Sequence, residues 1–249
     1  MRGIIASMAL AVAGAAGIAA SPAEARSRAE IERCAALQPI DERQIVRQTG
    51  VEIPRNPRGL RRALERTIDS NRQVLAVETL SGKTYCLDIR RMASISKLDM
   101  KQDGRFVTFD WEGYAPNGYR SDGAILIDRW GDGRHVDVGG TPGFSPSGQL
   151  VAAVHQSNYA FTALEGLGIW RISPGGIEEV AHVINMPQLL DWRVDGWRGE
   201  NCLILSGVRF SSVPLEVGDL SQYQRLQYVA RQNGASWEVT YAQTGGCPG

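Results

Sequence analysis

The most distinctive chemical segment of the chain is a run of eight residues, 191–198, in which tryptophan and arginine are interleaved with aspartate. Indole rings pack on apolar faces such as those of sugars while keeping a polar handle. Trp and Arg also dominate the binding energy of many interfaces. The segment is therefore a candidate recognition surface, made of Asp191, Trp192, Arg193, Asp195, Trp197 and Arg198. The alternative is that its aspartates end strands and its tryptophans fill the core.

A second pair of carboxylates lies earlier in the chain. Asp110 and Glu112 are two residues apart, so they share one face if the preceding strand continues through them. Two carboxylates that flank a glycosidic bond can hydrolyse it. A hydrolase acting on a glycan or peptide is therefore one hypothesis. It requires acids and histidines to converge in space rather than scatter, namely Asp110, Glu112, Asp191, Asp195, His135, His155 and His182.

The remaining polar motifs do not match a catalytic or metal-binding signature. Asp128, Asp132 and Gly133 resemble part of a calcium loop, but Trp130 occupies a ligand position and Gly139 replaces the closing glutamate. No histidine has a partner four residues away, and the chain has neither a nucleophile elbow nor a phosphate loop. The sequence predicts no catalytic residue, no metal and no cofactor.

The first 25 residues have the pattern of a cleaved signal peptide. Arg2 precedes an apolar run from residue 4 to residue 18, and Ala23 and Ala25 are small residues at the positions inspected by a signal peptidase. The run is shorter than the roughly 20 residues that a spanning helix needs. We expect a mature chain that begins at Arg26, is periplasmic or secreted, and has no transmembrane segment.

The charge of the chain is balanced, with 27 basic and 27 acidic residues. A chain of zero net charge has no global field that attracts nucleic acid or an anionic membrane. The one dense basic run, in residues 55–72, is interrupted by two acids and is typical of a solvated helix face. The composition therefore argues against nucleic acid as a partner.

Four cysteines are too far apart for a zinc or redox motif, since the closest two are 45 residues apart. In an exported protein an even number of such cysteines indicates disulfides. Three pairings are possible. We favour Cys34–Cys86 and Cys202–Cys247, because each would tie one end of the chain to a predicted strand.

The mature chain divides into two parts. Residues 26–72 predict a short helical segment, because Leu60, Leu64 and Ile68 repeat at helical spacing after Asn56-Pro57, which suits a helix start. Residues 73–249 predict a β-rich domain of short strands rich in β-branched and aromatic residues. The expected strands are 74–77, 85–89, 106–111, 124–127, 150–154, 169–172, 202–205, 226–230 and 237–241.

An internal repeat runs through the β-rich part. The segment Asp103-Gly104-Arg105 and its following strand recur 44 residues later as Ser147-Gly148-Gln149 and a second strand. Each copy contains a second strand that ends in a Gly-rich hairpin turn. A period in the mid-forties with about four strands per unit is typical of a propeller blade.

The second copy also resembles a known family. Phe144-Ser145-Pro146-Ser147-Gly148 with its following strand, and the later strand 169–172, are similar to the blade motif of WD40-like β-propellers of the TolB type. The similarity covers residues 142–173 and extends more weakly over 95–128 and 187–210, and Ser147 stands where the family has Asp. It implies a propeller-like arrangement or a stack of antiparallel sheets, with partner binding through loops at one end.

Together these features predict a mainly β exported protein with a short helical N-terminal segment. We expect a binding or scaffolding module of the cell envelope, with a protein or glycan partner. The hydrolase of an envelope glycan or peptide is the alternative.

Overall fold

The computed structural model describes residues 33–34, 67–70, 73–114, 120–156, 164–213, 220–243 and 246–247. Within this part, the chain forms four antiparallel sheets, and each sheet is built from strands consecutive in sequence. The protein is therefore mainly β, as its composition of short β-branched runs predicts. No helix among these residues has the length and apolar character needed to cross a bilayer.

The four sheets contain fifteen strands in the described residues. Sheet 1 is made of β1 (Ile68–Ser70), β2 (Val74–Glu78) and β3 (Thr84–Asp88). Sheet 2 is made of β4 (Met92–Lys101), β5 (Phe106–Tyr114), β6 (Arg120–Asp128) and β7 (Arg134–Asp137). Sheet 3 is made of β8 (Gly143–Phe144), β9 (Leu150–His155), β10 (Gly166–Ser173) and β11 (Gly176–Val183). Sheet 4 is made of β12 (Leu189–Trp197), β13 (Cys202–Arg209), β14 (Arg225–Asn233) and β15 (Ser236–Tyr241), and a 3-10 turn, Phe210–Ser212, follows β13.

Sheets 2, 3 and 4 share one local design. Each is an up-and-down meander of four strands, and the turn after its first strand contains a glycine with positive φ. These glycines are Gly104, Gly148 and Gly199, with φ of 85°, 71° and 64°. L-residues rarely adopt this conformation, whereas glycine does so at little steric cost. The first two glycines are the pair that the 44-residue repeat aligns.

Apolar residues join each sheet to the next. The strand 124–127 shows how, because Ile125 and Ile127 pack towards sheet 1 while Ala124 and Leu126 pack towards sheet 3. A strand covered on both faces is apolar at every position, which explains the unbroken run in the sequence. A further cluster joins sheets 3 and 4, including Ala152, Val154, Ile169, Trp192, Leu203 and Trp237.

Two disulfides attach the ends of the chain to the sheets. Cys34 bonds Cys86 on β3, with 5.6 Å between the Cα atoms, and Cys202 on β13 bonds Cys247, with 5.9 Å. The favoured pairing is confirmed. Each bridge closes a loop of about fifty residues and stabilises the fold by roughly 4 kcal/mol on the chain-entropy account.

The predicted helical segment requires one correction. Ile68–Ser70 forms β1 and pairs with β2, so that Ile68 lies opposite Val77 instead of ending a helix. Ile68 is buried in the cluster between sheets 1 and 2, and this tertiary burial overrides the local helical spacing. The predicted signal peptide, and Leu60 and Leu64 of the predicted helix, lie outside the described residues.

Candidate functional site

Three of the sheets surround one cleft, with a volume of about 1020 Å³. We name it the three-sheet cleft. Sheet 2 contributes residues from β4, β5 and β6, sheet 3 contributes the end of β9 with the connection 139–142 that precedes β8, and sheet 4 contributes residues 190–194 of β12. The cleft lies at the ends of β5 and β9 that are remote from the repeated glycine turns. Its polar side chains therefore come from segments that are far apart in sequence.

One wall of the cleft is acidic. Asp110 and Glu112 lie on the same face of β5, as their spacing predicts, and Asp122 on β6 lies directly opposite Glu112. Asp110 forms an ion pair with Lys97 at 2.6 Å. Like charges opposite each other on neighbouring strands destabilise a sheet. The Glu112–Asp122 juxtaposition thus concentrates negative charge at the cleft.

The wall formed by β12 is held by an arginine behind it. The carboxylate of Asp191 accepts hydrogen bonds from Arg193, at 2.6 Å, and from Arg225 on β14, at 2.7 Å. Arg225 also donates to the backbone oxygen of Asp191 and, at 2.8 Å, to the hydroxyl of Ser206. Arg225 therefore fixes both the side chain and the backbone of Asp191.

Backbone strain is concentrated at the same cleft. Lys97 and Asp191 have φ of 51° and 48°, and both lie where the strand register shifts, in β4 and in β12. Among the described residues only two other non-glycine residues have positive φ, and these neighbours, Gln102 and Asp103, form one turn. Such conformations cost of order 1–3 kcal/mol and gather at functional sites. Two strained charged residues facing one cleft are therefore a functional signal.

Two buried nitrogen atoms of the cleft have no hydrogen-bond partner. They are Nε1 of Trp111 and Nε2 of His155, and the described part of the chain contains one other such side-chain nitrogen, in Arg231. Buried polar groups in native proteins are paired in the great majority of cases. The indole nitrogen lies beside Gly123, where a Cβ would come within 3.2 Å of it and within 3.3 Å of Oδ1 of Asp137.

Burial shifts the pKa of two groups in this region, Asp137 and His155. It raises the pKa of Asp137 to about 6, although the backbone N–H of Gly139 donates to its carboxylate. It lowers the pKa of His155, against the opposing charges of Asp122 and Glu165. The imidazole at the cleft is therefore neutral at neutral pH. Both effects follow from the cost of burying a charge.

In the predicted recognition segment, residues 191–198, both tryptophans make contacts within the fold. Residues 191–197 belong to strand β12. Trp192 is 7% exposed, and its Nε1 donates to Oε1 of Gln156 at 3.1 Å. Trp197 is half-buried, donates to the backbone oxygen of Gly143 at 3.0 Å and packs edge-on against Trp237. Both indoles thus have structural contacts.

The six residues of that segment do not share one site. Asp191, Trp192 and Arg193 line the three-sheet cleft, whereas Asp195, Trp197 and Arg198 line a separate, more open depression of about 980 Å³. Asp195 accepts a hydrogen bond from Ser206 at 2.9 Å. The β-bulges of β12 separate the two halves, because they change which face of the strand each side chain occupies.

The convergence of acids and histidines is partial. Asp110, Glu112, Asp191 and His155 line the three-sheet cleft. His135 instead contacts Tyr85 of sheet 1, and the ring of His182 hydrogen-bonds the backbone oxygen of Glu165. Within the described residues, no group of three or more His, Cys, Asp or Glu side chains is arranged to hold a metal ion.

Several residues of the cleft did not stand out in the sequence. Asp122, Trp111 and Lys97 come together through strand register and bulges, and Arg225 acts from the second strand behind β12. One usable signal was Gly123, a glycine inside an apolar strand, since such glycines mark the close approach of another group. No protein-family model, curated protein or solved structure matches the chain. The functional conclusion therefore depends on the geometry of the cleft.

Proposed function

We propose that this protein is an exported binding module of the cell envelope and that its ligand binds in the three-sheet cleft. The observation that carries this proposal is the coincidence of two strained charged residues, Lys97 and Asp191, with the two unpartnered nitrogens of Trp111 and His155. Strain and unsatisfied polar groups both oppose folding. A protein that retains them in one cleft has a use for them there.

Export is supported by two features. The signal-like residues 1–25 precede the domain, and two disulfides tie Cys34 and Cys247 to the sheets. Disulfides persist in oxidising compartments such as the periplasm and the extracellular space, and are rare in the cytosol. The proposed place of action is therefore the periplasm or the exterior of the cell.

We also propose that sheets 2, 3 and 4 are successive blades of a WD40-like arrangement of the TolB type. Their meander topology and their repeated glycine turns support this assignment. Neighbouring turns are in contact, since the backbone N–H of Ser147 donates to Glu200 at 2.9 Å and the side chain of Gln102 packs against Gly148. In such an arrangement one end carries the binding site, and here the cleft lies at the end opposite these turns.

Binding is favoured over hydrolysis by the state of the acids. Asp110 and Asp191, two of the acids required for the hydrolase, are engaged in ion pairs with Lys97, Arg193 and Arg225. Carboxylate oxygens already engaged by these cations are less available to a reacting group. The partial convergence with His155 keeps hydrolysis of a glycan or peptide as the second candidate.

Co-sedimentation with envelope material tests the binding function. The mature chain, residues 26–249 with its disulfides intact, is mixed with envelope fragments of the source cells and pelleted. We expect retention of the wild type and loss of retention in the double variant Glu112→Gln/Asp122→Asn. The matched control is Glu178→Gln/Glu238→Gln, which removes two exposed strand glutamates outside the cleft. Equal retention of all three proteins would contradict the proposal.

The same material separates binding from hydrolysis. If the protein is a binding module, soluble sugar and peptide fragments appear at the rate seen with heat-denatured protein. A faster release that disappears in the double variant Glu112→Gln/Asp122→Asn would instead establish the hydrolase. The measurement is the reducing sugar and the free amine in the supernatant over time.

A further inference from the structure

We infer that the ligand of the three-sheet cleft is a neutral, hydroxyl-rich saccharide. This inference rests on the proposed binding function and specifies its ligand class. It follows from the polar atoms of the cleft that have no hydrogen-bond partner, from the charge of the lining and from the β-bulges in the strands beside the cleft.

The first requirement concerns Trp111. Its Nε1 is a hydrogen-bond donor that cannot accept, it is buried, and it has no partner. A ligand that satisfies it must offer an acceptor oxygen. An ammonium or guanidinium group offers only donors and leaves this nitrogen unpaired. Gly123 leaves open the space next to the indole N–H, since any side chain there would crowd it.

The second requirement concerns Asp122. Its carboxylate is exposed at the cleft and makes neither a hydrogen bond nor an ion pair in the described part of the chain. An ionised carboxylate only accepts, so a ligand that contacts Asp122 and displaces its water must offer donors. A hydroxyl group both donates and accepts at one atom, and a sugar ring presents several. A polyol therefore meets the needs of Trp111 and Asp122 together.

The charge of the lining disfavours an acidic ligand. The side chains of Asp110, Glu112, Asp122 and Asp191 outnumber the two cations, Lys97 and Arg193, and the imidazole is neutral. The lining side chains sum to −2, and Arg225, which pairs with Asp191 from behind β12, reduces the net charge at the cleft to −1. Anionic groups such as phosphates and carboxylates are repelled by such a surface.

Strand geometry argues against an extended peptide. A peptide that adds to a sheet needs a continuous edge of backbone donors and acceptors. The edge strands beside the cleft are β4 and β12, and both are interrupted by β-bulges at the cleft itself. Bulges break the hydrogen-bonding ladder and protect edges against strand addition. A saccharide, which binds through side chains, does not need a continuous edge.

The test uses envelope material divided by chemistry. Protease digestion removes polypeptide and leaves glycan, whereas anhydrous trifluoromethanesulfonic acid cleaves glycosidic bonds and leaves peptide. The soluble products of each treatment are added as competitors to the co-sedimentation of the mature chain. We expect the neutral glycan fraction, separated by ion exchange, to displace the protein and the peptide fraction to have no effect.

Two variants connect the displacement to the cleft. Trp111→Phe keeps an aromatic ring but removes the donor, and Asp122→Asn removes the charged acceptor. Binding is measured as the concentration of unlabelled neutral glycan that displaces half of a bound, labelled glycan. We expect each variant to raise this concentration by about tenfold, the usual effect of losing one hydrogen bond to a charged or buried partner. Trp130→Phe is the matched control, because Trp130 lies on the turn after β6, outside the cleft, and is 49% exposed.

Each outcome has a distinct meaning. Displacement by peptide, by cationic or by anionic fractions overturns the saccharide inference but leaves a cleft-dependent binding module. Glycan binding that is equal in Trp111→Phe, Asp122→Asn and the control also overturns the inference, because the glycan then binds elsewhere. If the cleft variants are retained on untreated envelope material as well as the wild type, the proposed function itself is contradicted. Circular dichroism melts identify any variant that fails to fold. If Asp122→Asn fails to fold, Asp122→Glu is tested in its place.

Discussion

Trp111 on β5 lies directly opposite Gly123 on β6, and the absence of a side chain at Gly123 leaves the indole nitrogen bordering the cleft. Glycine weakens a strand interior because it loses more conformational freedom on folding and contributes no packing. The position therefore carries a cost that the close approach to Trp111 and Asp137 explains. A methyl group there would lie 3.2 Å from the indole nitrogen.

The first prediction follows from this contact. We expect Gly123→Ala to abolish retention on envelope material, because its methyl group covers the donor of Trp111. The free energy of unfolding should change by less than about 1 kcal/mol, since the gain in strand propensity offsets the tight contact. Gly196→Ala is the control, because a Cβ at Gly196 meets no atom within 4 Å. Normal retention of Gly123→Ala would show that the indole nitrogen is not used.

The second prediction compares two arginines that contact the same carboxylate. Arg225 makes four hydrogen bonds around Asp191 and Ser206, whereas Arg193 makes one to Asp191 and is 53% exposed. We expect Arg225→Gln to lower the free energy of unfolding by about 2–3 kcal/mol, as the loss of hydrogen bonds to charged groups implies. Arg193→Gln should lower it by less than about 1 kcal/mol, as for an exposed ion pair.

Urea unfolding of both variants measures the difference. If Arg225 holds Asp191 in its strained backbone conformation, Arg225→Gln should also weaken envelope retention, even in conditions where the variant is folded. Similar losses of stability in the two variants would mean that the hydrogen bonds behind β12 contribute no more than a surface pair.

Two of the predicted strands have unbroken apolar runs because they are buried on both faces. The run 124–127 is apolar at each position because it is covered on both faces, and residues 150–154 behave in the same way. Strands β4 and β12 were not predicted. In β4 the buried residues Met92, Ile95 and Leu98 are three apart, which is a helical spacing, because two register shifts interrupt the alternation of the strand. Bulges thus conceal a strand from its sequence and at the same time shape the cleft.

Only the part of the candidate site formed by residues close together in sequence could be predicted. Asp110 and Glu112 share a face because side chains alternate along a strand, and two residues suffice to see it. The opposition of Glu112 to Asp122 depends on the register of β5 against β6, which no local pattern specifies. The presence of His155 and Asp191 in the cleft depends on how sheets 3 and 4 pack beside sheet 2. Tertiary packing therefore determines most of the cleft.

The third prediction concerns the tryptophans of the recognition segment. Trp192 is buried among sheets 3 and 4, and its ring packs edge-on against Tyr228. We expect Trp192→Ala to lower the free energy of unfolding by about 3–5 kcal/mol, the usual result of emptying an aromatic core site. Trp130→Ala, at an exposed turn, should lower it by less than about 1 kcal/mol. A Trp192→Ala variant that melts like the wild type but fails to bind would restore this indole as a recognition residue.

The last prediction concerns pH and Asp137. Burial raises the pKa of this carboxyl to about 6, from an ordinary value of 3.8. Between these two pH values the folded protein retains a proton that the unfolded chain has lost, so that this group makes the free energy of unfolding fall as the pH rises through the window. Above about pH 6 the full penalty of the buried charge is present, at most about 3 kcal/mol.

Asp137→Asn removes that penalty and keeps an oxygen that can accept from the backbone of Gly139. We expect the variant to be more stable than the wild type at about pH 7.5, by at most about 3 kcal/mol, and the difference to shrink towards zero at about pH 4. The control is Asp132→Asn on the neighbouring exposed turn, which should change stability by less than about 1 kcal/mol at either pH. Urea unfolding at both pH values provides the measurement. A stability difference between Asp137→Asn and the wild type that is the same at both would show that the Asp137 carboxyl does not titrate in this window.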